Sequence, residues 1–248
     1  MTLQKILAGL AFATMTHTAL AAGIPDPLRI ATEGAYPPFN GVNANGELIG
    51  FDVDIANALC AEMKANCEIV AQDWDGIIPA LVANKYDAII ASMSITDERK
   101  QTIDFTNKYY SNYLAVIAPS NGAKGPKDLA GKTVGAQRST LAAQWAEDNL
   151  MGKANVKLYD TQTAAYADLE AGRVDAMVSD IYPAMDWLTT TEGFALAGEK
   201  IDINDQIGIG IRQNQADLKA AFNAAIDAIR ANGTYAKINA KYFSADIY

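Results

Sequence analysis

Asp87-Ala-Ile-Ile-Ala-Ser-Met-Ser-Ile-Thr-Asp-Glu-Arg99 is the stretch around which the chain is arranged. Ala88 to Ala91 is a short apolar run of the length expected for a buried strand. It gives way to Ser92, Ser94 and Thr96, then to a turn and an arginine in what reads as the first turn of a helix. Hydroxyl residues at a strand end offer side-chain oxygens and backbone N–H groups, and Arg99 offers a planar fork that matches a carboxylate in bidentate fashion. Read alone, the stretch also fits a strand followed by a capped surface helix with an exposed arginine. A second copy elsewhere bears on that choice. Ala83-Asn-Lys-Tyr-Asp87-Ala-Ile-Ile90 corresponds to Ala171-Gly-Arg-Val-Asp175-Ala-Met-Val178. Each copy reads as a helix end, a tight basic turn and a strand, and the strands stop at Ser92 and Ser94 in one case and at Ser179 and Asp180 in the other. Two such strand ends imply a cleft with half a site on either wall; convergent use of a common helix-to-strand turn is the competing reading. The period is too long and the copy too short for a solenoid.

Outward from this stretch, strands and helices alternate. Leu28–Thr32 reads as a first strand, followed by the loop Glu33-Gly-Ala-Tyr36-Pro-Pro-Phe39, where two prolines forbid continued pairing. Ile55, Ala58, Leu59 and Met63 recur at helical spacing within Asp52–Met63. Glu68–Ala71 is a second strand, and a helix runs from about Asp75 to Asn84. After Arg99 comes a β-prone run from Tyr109 to Ala118, then the strongest composition break in the chain, Ser120-Asn-Gly-Ala-Lys-Gly-Pro126. A lobe boundary is expected within Ser111–Ile117. The pattern then restarts: a strand at Lys132–Ala136, Ser139-Thr140 as an N-cap, a helix over Leu141–Leu150, a strand at Val156–Tyr159, a helix over Ala164–Ala171 and a strand at Val174–Val178. Gln206–Ile211 is one more strand. Asn214 is placed as the cap of an amphipathic helix with Leu218, Ala221, Phe222, Ala225, Ile226 and Ile229 on one face, and a helix over Tyr235–Tyr242 closes the chain. This alternation predicts an α/β protein with a largely parallel sheet.

Composition narrows the function. Residues 1–21 have the parts of a secretory signal: Lys5, an apolar run from Ile6 to Met15, and Ala19-Leu-Ala21 as a cleavage site. The expected product is exported to a Gram-negative periplasm. The chain has one histidine, His17, within that segment. The mature protein therefore lacks the residue needed for a Ser-His-Asp site or an imidazole zinc site. Cys60 and Cys67 are the two cysteines, too few for a four-thiolate metal site, and a local disulfide is their natural reading in an oxidising compartment. No metal and no cofactor is expected. A formal charge of −9 and the lack of a basic run argue against nucleic acid as a partner.

The series Arg29-Ile-Ala-Thr-Glu33…Tyr36-Pro-Pro-Phe39, Gly50-Phe-Asp-Val-Asp54, Asp73-Trp-Asp-Gly-Ile-Ile-Pro79, Ser92-Met-Ser-Ile-Thr-Asp-Glu-Arg99…Asp104-Phe105 and Ala171-Gly-Arg-Val-Asp175 resembles the periplasmic polar amino-acid binding proteins of ABC transporters, and among them the lysine/arginine/ornithine, histidine and opine-binding group. The resemblance runs from about Arg29 to Phe243. It implies a two-lobed type II periplasmic binding protein fold with a mostly parallel sheet in each lobe and two hinge crossovers. Residues 22–112 and 205–248 would form the first lobe and residues 113–204 the second. It implies hinge closure on an amino acid and docking on transporter membrane subunits, with a monomer as the expected state.

The resemblance also assigns roles. Arg99 would clamp the ligand α-carboxylate, helped by the N–H groups of Ser94 and Thr140, the latter at a helix start that favours an anion. Asp180 would take the α-ammonium with the Ser92 carbonyl and the Ser94 hydroxyl. Tyr36 and Trp74 would sandwich the side chain, and Glu33 would pair with a distal positive charge. A core anchor is the competing role for Trp74, and a solvated loop carboxylate for Glu33. Ala91 and Ser139 complete the expected site. Ala91 replaces a third serine of the lysine/arginine/ornithine pattern, Leu141 replaces a glutamine, the Gln137-Arg138-Ser139 segment is one residue shorter, and Trp74 is larger than the usual phenylalanine or leucine. These departures leave an opine or another arginine derivative open. The same family includes exported cyclohexadienyl dehydratases, which act on prephenate or arogenate, and a sensor that binds a partner protein is a third class.

Overall fold

The structure, a computed structural model, describes residues 23–248; the expected export signal, residues 1–21, lies outside the described residues. The strand β1 (Leu28–Thr32) is followed by the small hairpin β2 (Gly41–Val42) and β3 (Leu48–Ile49), helix α1 (Phe51–Met63), β4 (Cys67–Ala71), α2 (Trp74–Val82), β5 (Ala88–Ile89) and the short helix α3 (Asp97–Lys100). The long strand β6 (Ile103–Pro119) leads through a 3₁₀ turn at Pro126–Leu129 into β7 (Thr133–Gln137), α4 (Leu141–Leu150), β8 (Asn155–Tyr159), α5 (Gln162–Glu170), β9 (Ala176–Asp180), α6 (Ile181–Thr190) and β10 (Phe194–Leu196). A second long strand, β11 (Ile201–Arg212), precedes α7 (Ala216–Ala231) and α8 (Thr234–Tyr242).

The main sheet has the order β4-β1-β5-β11-β6-β9-β7-β8, with β10 on β6. At one end β4, β1 and β5 are parallel, and at the other β9, β7 and β8 are parallel. In each trio the first strand in sequence lies in the middle, so each is a βαβαβ unit wound in the same sense of order. The antiparallel pair β6 and β11 lies between the trios and belongs to both. The apolar clusters divide along the same line. Leu28, Ile30, Phe51, Ile55, Leu59, Ile207, Phe222 and Ile226 are buried together in one, and Leu114, Val116, Val134, Ala146 and Val178 in another. This is the two-lobed α/β architecture.

The sequence repeat has a physical cause. Asn84 and Gly172 occupy equivalent turn positions with φ of 61° and 69°, a conformation that asparagine and glycine tolerate. The aspartates just beyond these turns do the same work in both lobes. The Asp87 N–H donates to the Arg29 carbonyl at 2.8 Å and its carboxylate accepts the Arg29 N–H at 3.0 Å. Likewise Asp175 exchanges a pair of 2.8 Å bonds with the backbone of Thr133. In each lobe this residue pins the third strand to the start of the first. Asp87 also pairs with Arg29 and Arg212, and despite its burial those bonds hold its carboxyl below the usual range.

Most element positions follow the sequence reading to within a residue or two, and the departures have local reasons. β6 begins at Ile103, six residues before the run that begins at Tyr109; the exposed Asn107 and half-buried Lys108 interrupt the apolar pattern between the buried Ile103, Phe105 and Thr106 and that run. β11 likewise extends back from Gln206 to Ile201 through alternating polar residues. Asn214 does not cap α7: it takes φ of 64° in the preceding turn, and the helix starts at Ala216 without a side-chain cap. The α7 face from Leu218 to Ile229 is buried as its spacing requires, against α1. α6 escapes periodicity because Pro183 and the two threonines at its end obscure it.

Cys60, at the end of α1, is bonded to Cys67, at the start of β4, with Cα atoms 6.2 Å apart. The bridge lies among the buried residues of the first lobe. Replacing both cysteines by serine should lower stability by about 2–3 kcal/mol, at the low end for so short a loop. Urea denaturation of residues 22–248 checks this, and an unchanged midpoint would contradict it.

Candidate functional site

Parallel strands wound this way direct the loops at their carboxyl ends toward a common crevice. Glu33 follows β1. Its loop is held by Gly34, whose N–H donates to the Asn40 side-chain oxygen at 2.8 Å, and by a 2.7 Å bond from the Tyr36 N–H to the Asn40 carbonyl. Trp74 opens α2, and Ala91, Ser92 and Ser94 follow β5. Arg99 sits in α3, whose start is capped by the Thr96 hydroxyl accepting the Arg99 N–H at 3.1 Å. From the other lobe Gln137 ends β7, Thr140 caps α4 and Asp180 ends β9.

One cavity between the lobes is lined by Glu33, Tyr36, Trp74, Ala91, Ser92, Ser94, Arg99, Gln137, Thr140, Leu141 and Asp180. Nine of the ten residues expected from sequence are thus brought together. Ser139 is not among them. With φ of 60° it turns outward to the mouth of the cleft, where its hydroxyl donates to Asp75 at 3.3 Å and its carbonyl accepts from Trp74 Nε1 at 3.3 Å and Arg99 at 2.9 Å. Gln137 and Leu141 take part instead. The strand-end rule that singled out Asp180 applies equally to Gln137, so a signal for it was present.

The walls touch through polar groups. The Tyr36 hydroxyl donates to Asp180 at 2.5 Å, and Gln137 Nε2 donates to Glu33 Oε1 at 2.8 Å and to the Asp160 carbonyl at 3.2 Å. At the mouth, Arg138 pairs with Asp75 at 3.7 Å and with Asp160 at 2.9 Å. Tyr36 therefore does more than offer a ring face, because its hydroxyl links the lobes. Arg99 uses one donor on the Ser94 carbonyl at 2.8 Å and one on Ser139, and its guanidinium lies 5.3 Å from the Trp74 ring centroid. Among the described residues, no protein acceptor takes the N–H of Ser94 or of Thr140. A guanidinium beside two such donors is a receiver for a carboxylate.

The acids have the opposite character. Burial raises the Glu33 carboxyl to about 7; the bond from Gln137 opposes this, while Asp73, Asp75 and Asp52 add to it. Burial, followed by the charge of Asp205, raises Asp180 to about 7, against the bond from Tyr36 and the charge of Arg99. Asp205, a buried acid that sequence reading passed over, accepts from Asn112 at 2.9 Å and from the Ser94 hydroxyl at 3.3 Å. It is itself raised by burial. Burial disfavours the charge on Arg99, and Asp205, Asp180 and Glu98 support it. The cleft holds more buried carboxyl groups than cations, so a positively charged group entering it relieves repulsion.

Residues 28–245 match the family described as bacterial extracellular solute-binding proteins, family 3. The L-arginine-binding protein of Pseudomonas aeruginosa is 44% identical over 254 residues, covering 98% of this chain and 97% of the relative. The lysine/arginine/ornithine-binding periplasmic protein of Escherichia coli is 38% identical, covering 98% of this chain and 96% of the relative. A solved structure of an ancestral arginine-binding protein bound to arginine superposes with a TM-score of 0.84 at 34% identity, covering 89% of this chain and all of the other. The chain belongs to the bacterial extracellular solute-binding proteins of family 3.

Proposed function

We propose that this chain captures a cationic amino acid of the arginine, ornithine and lysine type, or an opine built on one, in the periplasm and delivers it to the membrane subunits of an ABC importer. One observation carries the reading: a single cavity joins Arg99 with two N–H groups that have no protein acceptor among the described residues, the half-buried carboxyl of Asp180, and the buried carboxyl of Glu33. That set complements an α-carboxylate, an α-ammonium and a distal cation. Tyr36 and Trp74 supply faces for the stem between them. Because Arg99, Ser94 and Glu33 come from one lobe and Thr140 and Asp180 from the other, a ligand held by all of them bridges the walls, and binding favours closure. The proposed hinge lies where β6 and β11 cross between lobes, at 112/113 and 204/205. There Asn112 is paired with Asp205 in register, and the ladder is irregular between Ile201 and Asp205. The working unit is a monomer that leaves both lobes free for the transporter.

A dehydratase acting on prephenate must hold two carboxylates. The cavity offers one guanidinium and two carboxyl groups, the reverse of that need.

A thermal-shift panel on refolded, ligand-stripped protein tests the proposal. Arginine, ornithine, lysine or an opine should stabilise it, by roughly 2.7 kcal/mol at a hundredfold excess over Kd, and glutamate should not. Arg99→Ala and Asp180→Ala should each abolish the shift. Stabilisation by prephenate alone, with release of phenylpyruvate, would overturn the receptor reading.

Glu33→Gln should weaken cationic ligands at least tenfold more than neutral ones such as glutamine in calorimetry. Equal losses would show that Glu33 does not read the distal charge.

Proton linkage gives two opposite slopes. Glu33 and Asp180 have folded values near 7, above those of free carboxyls, so the unliganded fold binds extra protons between about pH 4 and 7 and loses stability as pH rises through that window. A cationic ligand needs both groups ionised. Its affinity should fall by up to about tenfold per group for each pH unit below 7. Melting of the unliganded protein and arginine calorimetry at pH 5.5 and 7.5 check the pair, and parallel slopes would contradict the assignment.

A further inference from the structure

Asp52 has no role in the site as described, yet its side chain is fully buried and, among the described residues, forms no ion pair. A buried carboxyl without a cation costs stability, offset only in part by its place in the first turn of α1, where the helix N-terminus favours an anion. Its hydrogen-bond partners are informative. Asp52 Oδ1 accepts the Tyr109 hydroxyl at 2.7 Å, and Oδ2 accepts Asn40 Nδ2 at 2.8 Å and the Ser92 hydroxyl at 2.9 Å. Each partner then holds backbone at the cavity. The Tyr109 hydroxyl also accepts the Ser92 N–H at 3.0 Å, so Ser92 is gripped by side chain and main chain at once. Ser92 has φ of 52°, a left-handed conformation that non-glycine residues adopt at a cost and keep only when their surroundings impose it. Asn40 accepts the Gly34 N–H with its side-chain oxygen and exchanges backbone bonds with Tyr36, which fixes the loop that bears Glu33. Gly50 lets this loop approach: a Cβ there would lie 2.3 Å from the Phe39 carbonyl oxygen, and the Asp52 N–H donates to that same oxygen at 2.7 Å.

We propose that Asp52 is a positioning residue for the binding cavity. Its carboxylate holds Ser92 in the left-handed conformation through Tyr109 and the Ser92 hydroxyl, and holds the Glu33–Tyr36 loop through Asn40. With the Ser92 hydroxyl committed to Asp52, the Ser92 carbonyl is the group left for a ligand's ammonium. The assignment rests on the amino-acid reading of the cavity only in its affinity consequence; the backbone consequence stands without any ligand.

Amide hydrogen exchange by NMR on the unliganded mature protein separates the branches. In Asp52→Asn the Ser92 and Gly34 amides should exchange at least tenfold faster, while Ile30 and Ile55 keep their protection. Tyr109→Phe, which keeps the carboxylate and decides the matter if Asp52→Asn fails to fold, should release Ser92 and leave Gly34 protected. Calorimetry with arginine should show at least a tenfold loss of affinity in both variants. Uniform acceleration throughout the first lobe, or no change at Ser92 and Gly34, would reduce Asp52 to a fold determinant and overturn the proposal, as would localised acceleration with arginine affinity kept within twofold. Failure of the wild-type protein to bind arginine would overturn the functional reading and not the exchange pattern.

Discussion

An excess of buried carboxyl groups between two walls is the constraint on which the rest of this structure depends. Glu33 and Asp205 lie buried, and Asp180 half-buried, in or beside the cleft with Arg99, and among the described residues no second cation lines the cavity. Neutral donors hold the acids in place: Gln137 for Glu33, Tyr36 for Asp180, Asn112 and Ser94 for Asp205. Hydrogen bonds from neutral groups orient a carboxyl without balancing its charge. The balance is left to the molecule that enters. On the proposed function, a ligand with one negative and two positive ends would satisfy Arg99 and two of the acids together, so that specificity and closure would come from the same charges.

The fold delivers these groups through repetition. Each βαβαβ unit brings its strand ends to one side, and the pinning aspartates Asp87 and Asp175 set β5 and β9 against the middle strand of their trios. The polar groups at the ends of those strands are therefore placed at the crevice: Ser92 and Ser94 in one lobe, Asp180 in the other. The two lobes are joined through β6 and β11 alone in the main sheet, and the Asn112–Asp205 pair lies on those strands. The site and the crossing strands thus share a hydrogen-bonded chain from Ser94 through Asp205 to Asn112.

Much of this was legible in the sequence because it is written in strand ends. The copy of Ala83–Ile90 at Ala171–Val178 marked both walls, and the hydroxyl residues after β5 together with Arg99 marked one half of the cavity. The competing reading, a common turn used twice, holds for the turn itself, since Asp87 and Asp175 are structural; the cavity-lining groups come from the residues just beyond. Ser139 lies at the mouth and not in the cavity lining because neighbours in sequence part company at a left-handed residue, Thr140 turning in and Ser139 out. Asp205 was illegible for a different reason. It is one of two acids in the polar first half of β11, Asp202 and Asp205, and its burial depends on a cross-strand partner 93 positions away. The hydroxyl of Tyr36 carries the same lesson, since a link to a residue 144 positions away leaves no local trace.

The most direct test of this account is a crystal structure of the mature protein grown with arginine. The account predicts the α-carboxylate on Arg99 with the N–H groups of Ser94 and Thr140, the α-ammonium on Asp180 with the Ser92 carbonyl, and the guanidinium at Glu33 and Gln137 between the rings of Tyr36 and Trp74. Arginine bound in the reverse sense, with its guanidinium at Asp180, or bound outside the cavity, would contradict it.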